Sequence, residues 1–224
     1  MITGDGSTTI HIAEWDEQYH SKHGAIQEAK HVFIKNGLSL FANRKISILE
    51  IGFGTGLNCF ITFLEAPKMK LAIDYVGVEA YPLAAEEVKK MNYVAQLEAT
   101  EFSGVFNKMH KQGWEVKDKI SSDFLLTKRK QFFNEINDEK KFDLIYFDAF
   151  GARVQPELWT EEIFEKMYKA LKPGGVLVTY SAKGSARRAM MAVGFLVEKL
   201  PGPPGKREML RATKGPLTPE GQCH

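Results

Sequence analysis

Cysteine is scarce in this chain of 224 residues: Cys59 and Cys223 are its only two. They are too few for a zinc cluster of their own and offer no spaced disulfide framework. A reducing compartment, the cytoplasm, is the expected setting. Met1 to Glu14 lacks the basic start and apolar stretch of a secretory leader, and no run approaches the roughly 18 apolar residues of a membrane span. No membrane partner is expected. An excess of one charge is missing too, since 30 Lys and Arg face 28 Asp and Glu. Total charge therefore does not mark a nucleic-acid binder, but its distribution is uneven. Eleven of the basic residues and only four of the acidic ones lie from Glu165 onward, leaving 19 basic against 24 acidic residues before it. A polyanion can meet the basic end.

No internal repeat or low-complexity block interrupts the chain, and its length suits one domain over 1–224. Residues 1–44 are expected to cover a cleft in a catalytic core at 45–224. Short β-rich runs recur at Ile46–Ile51, Ala72–Val78, Asp123–Thr127, Phe142–Phe147 and Val176–Tyr180. Between them lie stretches of helical spacing, Leu57–Leu64, Leu83–Met91, Phe102–His110 and Thr160–Leu171. This alternation predicts an α/β fold with βαβ units on a parallel sheet. Lys172-Pro173-Gly174-Gly175 reads as a helix stop before a strand. Phe195–Leu200 and Glu208–Thr213 are joined by a loop too short for a parallel crossover, so they are expected to pair antiparallel.

Glu50-Ile51-Gly52-Phe53-Gly54-Thr55-Gly56-Leu57-Asn58 follows the first of these strands and opens a helix. Glycines there let a ligand approach bare backbone. Leu57 stands where a dinucleotide fingerprint needs its third glycine, and no G-x-x-x-x-G-K-[ST] occurs, so pyrophosphate is not the favoured guest. A carboxylate or amino-acid tail can use the same helix start. Glu79 ends the second strand, at the distance where a carboxylate reaches ribose hydroxyls. Together these features favour S-adenosylmethionine over a dinucleotide. Phe142–Phe147 delivers Asp148 to the carboxyl edge of the sheet, where open α/β folds bind ligands. Asp148 can hold an amine and take its proton, and Phe150 can cover a flat base or a sulfonium.

Other chemistries lack their residues: H-E-x-x-H, G-x-S-x-G and C-x-x-C are absent, and the histidines show no metal spacing with carboxylates. Arg187-Arg188 and Lys206-Arg207 are candidate phosphate contacts.

At these residues the chain resembles class I S-adenosylmethionine-dependent methyltransferases. More specifically it resembles the family of the methyltransferase domain of the bacterial tRNA 5-methylaminomethyl-2-thiouridine biosynthesis protein MnmC, in its stand-alone, MnmD-like form or as an isolated domain. The likeness runs through Gly24-Ala25, Glu28 and Val32-Phe33, the glycine loop, Asp148-Ala149-Phe150, Pro156–Thr160, Thr179–Gly184 and Pro201–Met209. It implies a Rossmann-like, seven-stranded, mostly parallel sheet with an antiparallel C-terminal strand pair. It also implies methyl transfer from S-adenosylmethionine to the aminomethyl nitrogen on carbon 5 of the tRNA wobble uridine. Asp148 would be the catalytic residue; Glu50, Gly52, Gly54, Gly56, Asn58 and Glu79 would hold the cofactor. Phe150, Tyr180, Lys183, Lys206 and Arg207 would meet the substrate, and Tyr19, His20 and Ser21 would lie near the ligand. No metal and no FAD are implied in this chain. A separate oxidase or other upstream modification enzymes would supply the aminomethyl group that bifunctional relatives make for themselves. Two departures stand out. Lys128-Arg129-Lys130 replaces the usual acid after the third strand, leaving Asp123 as the candidate adenine contact. Gly151–Gln155 replaces an Ala/Pro/Asn-rich stretch. Transfer to a small amine, of a methyl or an aminopropyl group, is the alternative enzymatic reading; a non-catalytic cofactor-binding domain is the other.

Overall fold

The computed structural model describes residues 1–12, 17, 18 and 23–216, and the five apolar runs form the parallel heart of its main sheet. The strands are β1 (Lys45–Ile51), β2 (Ala72–Glu79), β3 (Lys117–Ser121), β4 (Phe124–Lys130), β5 (Phe142–Phe147), β6 (Leu171–Thr179), β7 (Phe195–Pro201) and β8 (Glu208–Lys214). Their order across the sheet is β3-β4-β2-β1-β5-β6-β8-β7. Strands β4, β2, β1, β5 and β6 are mutually parallel. β8 runs antiparallel to both β6 and β7, as the short connection requires.

The sheet has eight strands, not seven. The additional one, β3, is a hairpin partner of β4 at the sheet's edge. Its sequence, Lys-Asp-Lys-Ile-Ser, buries only Ile120, so no apolar run marks it; charged residues on an edge strand also deter pairing with other chains. A second correction concerns β4. It starts after Asp123 and contains Lys128-Arg129-Lys130, with Phe124 beside Ile73 and Lys130 beside Glu79. Arg129 is held by Asp138 at 2.6 Å. Lys172-Pro173-Gly174-Gly175 lies within an irregular start of β6, where pairing jumps from Phe142–Leu171 to Leu144–Val176.

Side chains alternate between two apolar layers because successive strand residues point to opposite faces. Ile46, Ile48, Tyr75, Leu144 and Tyr146 face one layer, packed under the helices Ala25–Ala29, Leu57–Glu65 and Ser103–Lys111. Leu49, Ile51, Val76, Ile145 and Phe147 face the other, under Glu161–Ala170 and Gly184–Ala192. Burial on both faces is what a parallel sheet demands. The stretch Leu83–Met91 forms a helix only over Ala85–Val88. Among the described residues no helix is long and apolar enough to cross a membrane.

Candidate functional site

Three strand ends converge where β1 gives way to the glycine loop. The amides of Gly52 and Phe53 both donate to the Val78 carbonyl at 3.0 Å, and the Asp148 amide donates to the Ile51 carbonyl at 2.9 Å. Gly52 has φ 87°, and a Cβ on it would stand 2.6 Å from the Asp148 carbonyl oxygen. Only glycine fits this approach of two backbones. Gly56 starts the helix Leu57–Glu65 with φ 71° and no side-chain cap, so the first N–H groups of the helix are free of a capping side chain.

Glu79 is pinned beside this loop. Its Oε2 accepts the Gly54 amide and its Oε1 the Tyr81 amide, each at 3.0 Å. Burial raises its pKa above the ordinary carboxylate value, opposed by these backbone bonds. Tyr81 and Phe132 stand exposed at the same edge, ring edge to face at 5.9 Å. The sequence marks these two exposed rings only by their lying two residues past the ends of β2 and β4. Asp123 does not join them. It sits in the β3–β4 turn, six strand residues or roughly 20 Å from the Glu79 edge. Its Oδ2 accepts from the Ser122 hydroxyl instead.

Asp148 Oδ2 accepts from Asn58 Nδ2 at 2.8 Å, and the same nitrogen reaches Glu50 Oε1 at 2.9 Å. Tyr75 occupies the other Glu50 oxygen at 2.9 Å. Glu50 is fully buried, so it positions Asn58 rather than presenting itself to a ligand; burial holds its pKa well above the ordinary value. Asp148 is pushed up to about 7, first by burial and then by the negative charge of Glu28, against the Asn58 bond and the positive charge of Lys206. Behind the loop, buried Lys128 donates to the His110 carbonyl at 2.8 Å and lies 4.9 Å from the Trp114 ring centre. Burial lowers its pKa to about 8.

Of the residues expected to meet a substrate, Tyr180, Lys183, Lys206 and Arg207 come together. Tyr180 donates its hydroxyl to the Ala149 carbonyl at 2.8 Å, which fixes its ring next to Asp148. Lys206 Nζ lies 3.8 Å from that ring's centre and 3.0 Å from Glu28 Oε2. Glu28 carried no role in the sequence reading beyond a point of resemblance. An open cavity of about 410 Å³ is lined by Tyr180, Ser181, Lys183, Lys206, Arg207 and Glu208. Phe150 follows, its carbonyl held by Trp159 Nε1 at 2.8 Å. Tyr19, His20 and Ser21 lie outside the described residues. Among the described residues no three His, Cys, Asp or Glu side chains gather to hold a metal ion.

This arrangement fits S-adenosylmethionine: an uncapped helix start suits a carboxylate, and Glu79 offers acceptor oxygens to a diol. A family model described as S-adenosyl-L-methionine-dependent methyltransferase matches residues 89–215. The tRNA 5-methylaminomethyl-2-thiouridine biosynthesis bifunctional protein MnmC of Leptospira interrogans is 30% identical over 225 residues, covering 94% of this chain and 34% of the relative. The protein of the same name from Hydrogenovibrio crunogenus is 28% identical over 211 residues, covering 87% and 31%. The chain thus spans about a third of the length of the curated relatives it matches. Among solved structures, MNMC2 from Aquifex aeolicus superposes with a TM-score of 0.71 at 23% identity, over 98% of this chain and 72% of the other. A spermidine synthase in complex with the transition-state analogue AdoDATO gives 0.57 at 17% identity, over 93% and 70%. At these identities the structural likeness concerns the fold alone.

Proposed function

The chain belongs to the S-adenosyl-L-methionine-dependent methyltransferase family, and on that footing we propose that it methylates the 5-aminomethyl nitrogen of the tRNA wobble uridine. The product is 5-methylaminomethyluridine, or its 2-thio form. The observation that carries this reading is Asp148, a carboxylate raised to about 7 beside the cofactor loop. The substrate amine is a primary alkylammonium with a pKa near that of lysine, about 10, and must shed a proton before it can attack. A base at about 7 narrows the mismatch by roughly three units compared with an ordinary aspartate.

S-adenosylmethionine, when bound, supplies a methyl group on a sulfonium. Gly52, Gly54, Gly56 and Glu79 would hold it, and Asn58, bonded to Asp148 Oδ2, would keep that carboxylate facing the amine. Asp148 accepts the amine proton at Oδ1 or Oδ2, and the nitrogen lone pair is then aligned for in-line transfer. Phe150 and Tyr180 line the base, while Lys183 and Arg207, both exposed, meet RNA phosphates as point charges. Of the basic last quarter, Lys183, Lys206 and Arg207 line the cavity beside Asp148 and support this division, whereas Lys172 pairs with Asp143 and Lys214 with the Leu171 carbonyl at the opposite end of the strands. A radiolabelled-methyl assay tests the reading by offering tRNA bearing aminomethyluridine alongside polyamines. Label in the tRNA supports it; label in polyamine alone rejects it in favour of a small-amine transferase.

A further inference from the structure

The strongest unassigned feature is the ion pair that joins the N-terminal helix to the loop before β8. Lys206 Nζ meets both oxygens of Glu28, at 3.1 and 3.0 Å, while its charge sits 3.8 Å over the Tyr180 ring. The Glu28 side chain is only 11% exposed. A carboxylate and an aromatic face together make a receptor for an alkylammonium. Because the Tyr180 hydroxyl is bound to the Ala149 carbonyl, a cation on this ring lies beside Asp148. We propose that Glu28 and Tyr180 form the subsite for the substrate's own alkylammonium group, which the Lys206 ammonium fills until RNA arrives.

This inference rests on the amine-methylation reading and deepens it. The ε-ammonium of lysine and a CH₂–NH₃⁺ group on a base are the same chemical class, so one receptor serves both. Lys206 also lines the open cavity that holds Lys183 and Arg207. On RNA binding its flexible stem has phosphate oxygens to turn to, and the exchange leaves no charge unpaired. The loop does not depend on this pair alone for its place: His31 Nε2 contacts the Pro201 carbonyl at 2.8 Å, and the Gly202 amide donates to the Arg207 carbonyl at 3.1 Å. Asp148 on the β5 edge feels the charges of both Glu28 and Lys206, with Asn58 and Glu50 behind it, while Lys183, Arg207 and Glu208 share the cavity with Lys206 and His23 packs on Gly205 before it.

Methylammonium is the probe, its binding followed by broadening of its methyl proton signal at constant ionic strength. Lys206→Met, or Lys206→Gln should the first variant fold poorly, is expected to bind it at least fivefold more tightly than the parent chain. The same substitution combined with Glu28→Gln is expected to lose that gain. In turnover, Glu28→Gln is expected to raise KM for aminomethyluridine tRNA at least tenfold with kcat within about threefold, and Glu28→Asp to recover part of the loss. Equal methylammonium binding in all proteins, or an unchanged KM in Glu28→Gln, overturns the subsite. If the parent chain transfers no methyl to that tRNA, the reaction reading fails, and the binding series alone then decides the subsite.

Discussion

The amide nitrogen of Asn58 stands 2.8 Å from Asp148 Oδ2 while also donating to buried Glu50. One side chain thus links a core acid to the carboxylate proposed as the base. The Asn58 bond lowers the Asp148 pKa against the effect of burial. Asn58→Ala is therefore expected to move the acid limb of the kcat–pH profile upward from about 7. Loss of a buried bond to Glu50 adds a stability cost of about 1–3 kcal/mol, read from urea denaturation. An unmoved limb would separate Asn58 from the proton chemistry.

Asp148 itself makes stability depend on pH. Its pKa is raised from 3.8 to about 7 in the folded chain, so the native state binds this proton more tightly between those values. Its contribution to stability is greatest below pH 4, declines as pH rises through about 7, and is flat above. Asp148→Asn removes that decline. Thermal melts are expected to show the variant gaining on the parent chain between pH 5 and 8. Methyl transfer falls by about 10²–10⁴, the range for loss of a general base, while cofactor affinity by calorimetry stays within about twofold.

Glu79→Gln tests the cofactor side. The carboxylate accepts the Gly54 and Tyr81 amides, and an amide side chain can replace only one of those two acceptors without presenting N–H to N–H. S-adenosylmethionine affinity is expected to drop about tenfold or more, several times the effect of a lost neutral hydrogen bond at the weak end of its range. KM for the RNA is expected to hold.

Much of the sheet was legible because burial on both faces leaves uninterrupted apolar runs. Phe142–Phe147 is buried at every position and reads as a strand without help. β3 was not legible, since Lys117, Asp118 and Lys119 obey the needs of an edge and not of a core. Asp123 lies before the start of a parallel strand and so at the edge opposite Glu79, and β4 continues past Thr127 through three basic residues to Lys130. The glycine loop, Glu79 and Asp148 are local patterns tied to strand ends, so they could be read in one dimension. Glu28 could not. It comes to Asp148 from a helix 120 positions away, and only the packing of Ala25 and Ile26 against the sheet brings it there. Glu50, beside the loop in sequence, turned out to face inward because the pleat alternates.

The proposed phosphate contacts predict a signature in salt dependence. Replacing Lys183 and Arg207 together by alanine is expected to flatten the plot of log affinity against log salt by about 1–1.5, as loss of two phosphate contacts to a single strand requires. Filter binding across salt concentrations measures it. A parallel plot with the same slope would place the phosphates elsewhere.

Mass spectrometry of wobble nucleosides is the most direct measurement of all. tRNA carrying 5-aminomethyluridine is digested before and after incubation with the purified chain and S-adenosylmethionine. The predicted result is conversion of that nucleoside to one heavier by a single methyl group, on the exocyclic nitrogen, and no conversion by Asp148→Asn. An unaltered aminomethyluridine peak with the parent chain would contradict the assigned reaction.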